Sequence, residues 1–459
     1  MNAPVIRTIE TASLGDRSYL AHDGEVAVVV DPQRDIDRVL HLARDEGVRI
    51  THVFETHIHN DYVTGGLALA KETGAGYYVN ADDEVSFERT PIRDGEVVKV
   101  SPGMRVRAIH TPGHTFTHLS YALESVDGDE IDAVAVFTGG SLLYGATGRP
   151  DLLGAEHAEE LAHHQFASAH RLTRELPDSA DVLPTHGFGS FCSAGSTGDT
   201  TESTIGKEQE HNPVLTDEED AWVQSVLDGL GAYPAYYAHM GPSNSAGPDA
   251  ADLTPPKLAD RETIAAALKA GEWVIDLRTR TAYAAGHVQG SVNFGVDGQM
   301  STYLGWIVPW GSSLTLLGES PEQVEEGQRE LSLIGFDEVR AAASGSPADW
   351  TDQPLGRLER AVFGDLAQVR HHRPVTVLDV RQSGEYEGGH IEGAVNVPLH
   401  EIVARADEVP AGEVWVHCAG GYRASIAASI LAAQGRSVVA VDDSFDEAKA
   451  AGLSITSPA

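Results

Sequence analysis

Two stretches, Trp273–Phe294 (WVIDLRTRTAYAAGHVQGSVNF) and Thr376–Val397 (TVLDVRQSGEYEGGHIEGAVNV), share one layout about a hundred positions apart. Each runs as a short apolar β-branched segment, Asp-x-Arg, a tyrosine-bearing helical turn, Gly-His, a second glycine, a small residue and Val-Asn. Shared order over that length, glycines included, is the signature of internal duplication. The second copy continues VWVHCAGGYRASIAASILAAQG, a strand, a glycine loop opening on Cys418, and a helix closed by Gly435. The first copy continues SLTLLGESPEQV, which sets Gly318 where the second has Cys418.

Upstream, the alternation of strand and helix patterns is that of an α/β domain. EVAVVVDP (25–32) and ITHVFETH (50–57) are apolar runs ending in polar loops, and DIDRVLHLARDEG between them has helical spacing with a glycine stop. Further strands are expected in RVRAIH, HLSYAL and DAVAVFTGG. AHMGPSNSAGPDAADLTPP (238–256), rich in Gly, Pro, Ser and Ala, reads as a linker. A length of 459 residues suggests about three domains. The expected division is 1–240, a linker at 241–258, a first repeat at 259–350 and a second at 361–459.

The chain holds 69 acidic against 32 basic residues, a formal charge of −37, with no Lys/Arg cluster. A nucleic-acid groove is therefore not expected. Hydrophobic content of 41% is ordinary, and no apolar run reaches membrane-spanning length. The first twenty residues lack a charged-then-apolar leader, so the expected compartment is the cytoplasm. Two cysteines, Cys192 and Cys418, make no disulfide framework and fit a reducing environment.

Cys418-Ala419-Gly420-Gly421-Tyr422-Arg423 has a clear chemical use. Backbone N–H groups of a curled loop and a helix N-terminus favour a thiolate, the nucleophilic form of cysteine, and Arg423 adds a cation for an anionic donor. The segment Asp379, Arg381, His390 and Gly393 accompanies it. In the N-terminal domain, Thr56-His57-Ile58-His59-Asn60-Asp61-Tyr62 follows a strand, and TPGH ends on His114. Two imidazoles and a carboxylate in one loop, joined by a third imidazole, match the needs of a catalytic metal. His186, in PTHG, and Asp61 are the additional candidates. Cys192, in GSFCS, reads as a packed loop cysteine or as a second thiol near the metal.

Residues 361–459 resemble the rhodanese (sulfurtransferase) family, through DVRxxxEYxxGHIxGAxNVP and the CxGGYR loop. That resemblance implies that Cys418 carries sulfane sulfur as a persulfide and that Arg423 steers the donor; the loop lacks the second basic residue of strong thiosulfate users. It implies an inactive rhodanese-like domain at 259–350. Residues 1–240 resemble the αββα metallo-β-lactamase sandwich. HIHNDYVTGG, TPGHTFTHLSY, GRPDLL and PTHGFGSFCS resemble its persulfide dioxygenase branch, which is often fused to rhodanese domains. The implied reaction is oxidation of a thiol persulfide to sulfite at one iron (Fe2+), with thiosulfate and sulfite as further sulfur partners and a homodimer as the default assembly.

Two positions depart from that branch. Tyr62 stands at the usual second-site histidine, and Gly140 at the aspartate that ligates iron. Three outcomes stay open: iron or zinc held by His57, His59 and His114; a site completed by Asp61 or an exogenous ligand; or loss of metal, leaving a sulfurtransferase or sulfur carrier. A zinc thioesterase of the glyoxalase II type is the other enzymatic alternative.

Overall fold

Val26–Val30 alternates its allegiance rather than its polarity. Ala27 and Val29 pack with Val39, Ala43, Leu69 and Ala70, whereas Val28 and Val30 pack with Tyr19, Phe54, Tyr121 and Phe137. A strand covered on both faces reads as unbroken apolar sequence. The computed structural model, which describes residues 4–195 and 200–456, builds two six-stranded sheets around such strands.

The first sheet runs Val5–Thr11, Asp16–His22, Val26–Val30, Arg49–Phe54, Gly76–Asn80, Thr90–Ile92. The second runs Ser203–Thr204, Asp181–Pro184, Glu130–Gly139, Leu119–Asp127, Met104–His110, Val97–Ser101. Between them lies a core that includes Tyr19, Phe54, Met104, Tyr121 and Phe137. Helices Ile36–Asp45 and Gly66–Thr73 cover the outer face of one sheet. Ala158–Glu175 and Glu219–Gly229 cover the other through Ala162, Ala169, Leu172 and Trp222. The layers are therefore αββα. Burying each of these large side chains contributes about 1.5–3 kcal/mol.

The stretch expected as a linker is helical over Tyr237–Ala246, with Pro242 inside the helix and Asn244 buried. The chain divides into one compact unit of 1–252 with 332–335, and a second of 253–331 with 336–459.

The second unit contains the repeat. Its two five-stranded sheets are parallel and have the same strand order: Lys257–Leu258, Val339–Ser344, Leu314–Gly318, Trp273–Asp276, Val292–Asn293, and Glu359–Ala361, Ser437–Val441, Glu413–His417, Thr376–Asp379, Val395–Asn396. The motif residues are its framework. Asp276 and Asp379 accept the guanidinium of Arg278 and Arg381, each at 2.6 Å, and each arginine also donates to the carbonyl of Gly286 or Gly389 at 2.8 Å. Asn293 and Asn396 each donate to two carbonyls of the same turn. Duplicate side chains thus do duplicate structural work. Asp276 pairs with Leu317 and Asp379 with His417, which places Gly318 at the position of Cys418.

Candidate functional site

The strand Arg49–Phe54 delivers the loop 55–62 to one end of the sandwich, where it meets the turns carrying His114 and His186. The ring centroids of His57 lie 4.1 Å from His59, 4.8 Å from His114 and 5.4 Å from His186. All four imidazoles are buried. Burial pushes the His57 ring well below the usual histidine range, and pushes His114 down to about 3, the neighbouring His186 adding to it.

Each ring has one nitrogen fixed by the protein. His114 Nδ1 lies 2.9 Å from the Arg149 carbonyl, which can only accept, so Nδ1 carries the proton. Its Nε2 is buried with no hydrogen-bond partner. His57 Nδ1 lies 2.9 Å from Thr56 Oγ1, which itself donates to Asp31 at 2.7 Å, and His57 Nε2 faces His186 Nε2 at 3.4 Å. His59 is reversed. Its Nε2 faces Asp31 and Glu55, 3.3 Å from each, and the Tyr62 hydroxyl at 3.0 Å, leaving Nδ1 buried without a partner. Burial alone lowers His59; Asp31 and Glu55 overcome it and raise the ring to about 9. His186 Nδ1 sits between Asp16 and Asp61, 2.9 Å from each.

Those features test the cluster as a metal site. Metal-bound histidines commonly have their second nitrogen held by a carboxylate or carbonyl, as His59, His114 and His186 do. Ligands about 2.1 Å from a tetrahedral ion lie about 3.4 Å apart, the separation of His57 Nε2 and His186 Nε2. The ligand atoms of His57, His59 and His186 lie within 4.8 Å of one another, and so do those of His114, His186 and Cys192. The donors fit a divalent ion. His186 is thus more central than its sequence context suggests, belonging to both triads.

Gly140 explains itself sterically. A Cβ there would lie 2.3 Å from His114 Cδ2, so the ring occupies the volume a side chain would need. The Gly140 N–H donates to His118 Nε2 at 3.1 Å, and His118 Nδ1 meets Thr111 Oγ1, so His118 has no free nitrogen for a metal. Tyr62 is fully buried and its hydroxyl meets His59 Nε2, the nitrogen that faces Asp31 and Glu55.

Asp31, Glu55, Asp16 and Asn244 carry no motif signal. Asp31 has φ 51°, the left-handed region, a strain of about 1 kcal/mol or more of the kind found at functional sites. It accepts from the Thr56 N–H and hydroxyl at 2.7 Å and from the Thr185 hydroxyl, tying the loops of His57 and His186 together. Burial pushes its carboxyl up, but His59 and these donors hold it below the usual range. Asn244 donates to the carbonyls of His59 at 2.9 Å and Tyr62 at 2.8 Å, and accepts from the Thr64 N–H. The only hint in the sequence was an aspartate closing an apolar strand, VVVDP.

In the second unit, Cys418 follows the strand Glu413–His417 and is 2% exposed. The Gly421 N–H donates to its Sγ at 3.1 Å. Gly421 has φ 90°, and a Cβ there would strike Asp442, so this turn requires glycine. The helix Tyr422–Ala433 then points its N-terminus at the loop. Ala419 and Gly420 complete the turn, and the Tyr422 hydroxyl donates to the Gly295 carbonyl of the first repeat at 2.6 Å. Arg423 is not a free cation: Glu385 accepts both its η nitrogens at 2.6 and 2.8 Å. A small pocket beside Arg423 is lined by Val380, Gln382 and His400, with Tyr303 and Trp306 from the first repeat.

Comparison with known proteins agrees with both folds. A family model for the metallo-beta-lactamase superfamily matches residues 16–186, and one for the rhodanese-like domain matches residues 363–451. A crystal structure of a metallo-beta-lactamase from Staphylococcus aureus superposes with a TM-score of 0.66 at 27% identity, covering 75% of this chain and 100% of that one. Among curated proteins, an atrochrysone carboxyl ACP thioesterase of Paecilomyces divaricatus is 29% identical over 30% of this chain and 43% of its own length. A hydroxyacylglutathione hydrolase of Polaromonas is 28% identical over 35% of this chain and 57% of its own. The chain spans about half the length of the curated relatives it matches. It is a fusion in which residues 16–186 belong to the metallo-beta-lactamase superfamily and residues 363–451 form a rhodanese-like domain.

Proposed function

We propose that this chain handles sulfane sulfur by two chemistries. The N-terminal centre oxidises a low-molecular-weight thiol persulfide to sulfite, RSSH + O2 + H2O giving RSH + SO3²⁻ + 2 H⁺. Cys418 moves sulfane sulfur between thiosulfate or a persulfide and an acceptor thiol. The observation that carries the first part is the buried imidazole cluster, with Nε2 of His114 and Nδ1 of His59 facing no partner, on the same chain as a rhodanese-like cysteine loop.

His57, His59 and His186, whose ligand atoms lie within 4.8 Å of one another, would hold the ion, with His114 beside His186. Bound ferrous iron supplies activation of O2 and a binding site for the persulfide. The protein's part is orientation and proton control. Thr56 and the Arg149 carbonyl fix the protonated nitrogens of His57 and His114, so both present lone pairs. Burial of all four rings excludes water that would compete for the persulfide.

At Cys418, the thiolate attacks the outer sulfur of the donor, the S–S bond breaks, and the electron pair leaves on a thiolate when the donor is a persulfide or on sulfite when it is thiosulfate. The Cys418 persulfide then gives its outer sulfur to an acceptor thiolate and regenerates the thiolate. The Gly421 N–H and the helix N-terminus stabilise negative charge on sulfur in both steps. Pairing of Arg423 with Glu385 favours a small or neutral donor over a strongly anionic one.

A second reading is favoured by the relatives named as thioesterase and hydroxyacylglutathione hydrolase: a zinc centre hydrolysing a thioester. Sulfite formation from glutathione persulfide in air separates the two. The expected result is sulfite from the native chain and from Cys418→Ser, and none from His114→Ala. Thioester hydrolysis without sulfite would reverse the choice.

A further inference from the structure

Four imidazoles bring no negative charge to a dication, and Gly140 has no side chain to bring any. The buried groups near His114 narrow what can replace it. Cys192 is fully buried, and its ligand atom lies within 4.8 Å of those of His114 and His186. One residue holds two members of this group in place: the Arg149 carbonyl accepts from His114 Nδ1, and the Arg149 N–H donates to the Cys192 carbonyl at 2.7 Å. Arg149 is itself buried and clamped by Asp151 at 2.7 and 2.8 Å. The Cys192 N–H donates to Ser190 Oγ at 3.2 Å, and Ser190 Oγ lies 3.5 Å from Asp61. Nε2 of fully buried His114 has no hydrogen-bond partner.

Granted the metal centre proposed above, we infer that Cys192 is one of its ligands, a thiolate shared with His114 and His186 in place of the carboxylate absent at residue 140. Ligands about 2.0–2.3 Å from one ion lie about 3.3–3.8 Å apart, so small side-chain rotations close this triad. Binding displaces the thiol proton to solvent, and the sulfur supplies the negative charge. A site with imidazole and thiolate donors suits thiophilic borderline ions such as zinc, cobalt or ferrous iron, and disfavours magnesium and calcium. His186 belongs to both ligand triads and to a third with Asp16 and Asp61; Asp61 Oδ2 faces His186 Nδ1 at 2.9 Å, while its Oδ1 is buried without a hydrogen-bond partner.

Cobalt reads the thiolate directly. The full-length Cys418→Ser chain has Cys192 as its only thiol. Stripped of metal and titrated with Co2+ in thiol-free buffer, it is expected to bind one equivalent and develop a near-ultraviolet thiolate-to-cobalt charge-transfer band. Adding Cys192→Ser is expected to abolish the band and weaken cobalt binding about tenfold or more. Visible cobalt transitions without the charge-transfer band, or a band that survives Cys192→Ser, overturn the assignment while leaving the metal centre intact. No bound cobalt overturns both. If the double variant fails to fold, the spectrum of the Cys418→Ser protein decides, because no other sulfur ligand of the thiol class remains.

Discussion

A side chain at residue 140 and the His114 ring cannot share their volume, since an added Cβ would come within 2.3 Å of the ring. Restoring an aspartate there is therefore expected to displace His114 rather than to add a ligand. Gly140→Asp should lower stability by about 1–3 kcal/mol, seen as a lower melting temperature, and should weaken metal binding in a titration; tighter binding would contradict this packing. His417, beside Cys418, makes a different case. It is buried with neither ring nitrogen hydrogen-bonded, and burial holds it down to about 4 although Asp379 opposes that. The unfolded chain, with a histidine near 6.5, binds a proton there that the folded chain refuses. The stability this contributes is present above about pH 6.5 and is lost as pH falls toward 4. Between those limits the loss is about 2–3 kcal/mol. Denaturation followed across that window should show a flatter pH dependence in His417→Gln, and an unchanged slope would show that other groups govern it.

At the scale of elements, the candidate site is built from loop ends, and their legibility varied with how local the signal was. His57, His59, Asp61 and His114 stood out because their spacing falls within single turns. Strand positions such as Val26–Val30 were legible from apolar runs, and the repeat from its duplicated Asp-x-Arg and Gly-His turns. Asp31 and Asp16 were not, because each is one acidic residue near a strand whose partner lies far away in sequence, Thr185 for Asp31 and His186 for Asp16, and Glu55, though its partners His59 and Thr64 are near, belongs to no motif. Gly, Pro and Ser disguised Tyr237–Ala246 as a linker, yet the helix supplies Asn244 to the backbone of the histidine loop. Asn244→Ala removes three hydrogen bonds and leaves buried carbonyls unpaired. The expected cost is about 2–4 kcal/mol together with metal affinity reduced about 10–100-fold; denaturant unfolding with parallel metal titration checks both.

On the scale of the whole molecule, duplication and fusion divide the labour. Both repeats keep the Asp–Arg–carbonyl framework, and only the second keeps a cysteine at the strand end. The first repeat still contributes structure to the cysteine loop, through the Gly295 carbonyl and the Tyr303–Trp306 wall. No helix among the described residues is long and apolar enough to cross a membrane. Under the proposed function, joining persulfide oxidation to sulfur transfer on one chain would raise the effective concentration of a reactive sulfur species between the two chemistries. The central claim is that the buried histidine cluster binds a redox metal despite Gly140. Its most direct test is metal analysis of the anaerobically purified chain, with oxygen uptake measured on addition of glutathione persulfide or coenzyme A persulfide. About one iron per chain is expected, with persulfide-dependent uptake that His114→Ala abolishes. A metal-free chain with no uptake, still transferring sulfur through Cys418, would contradict it.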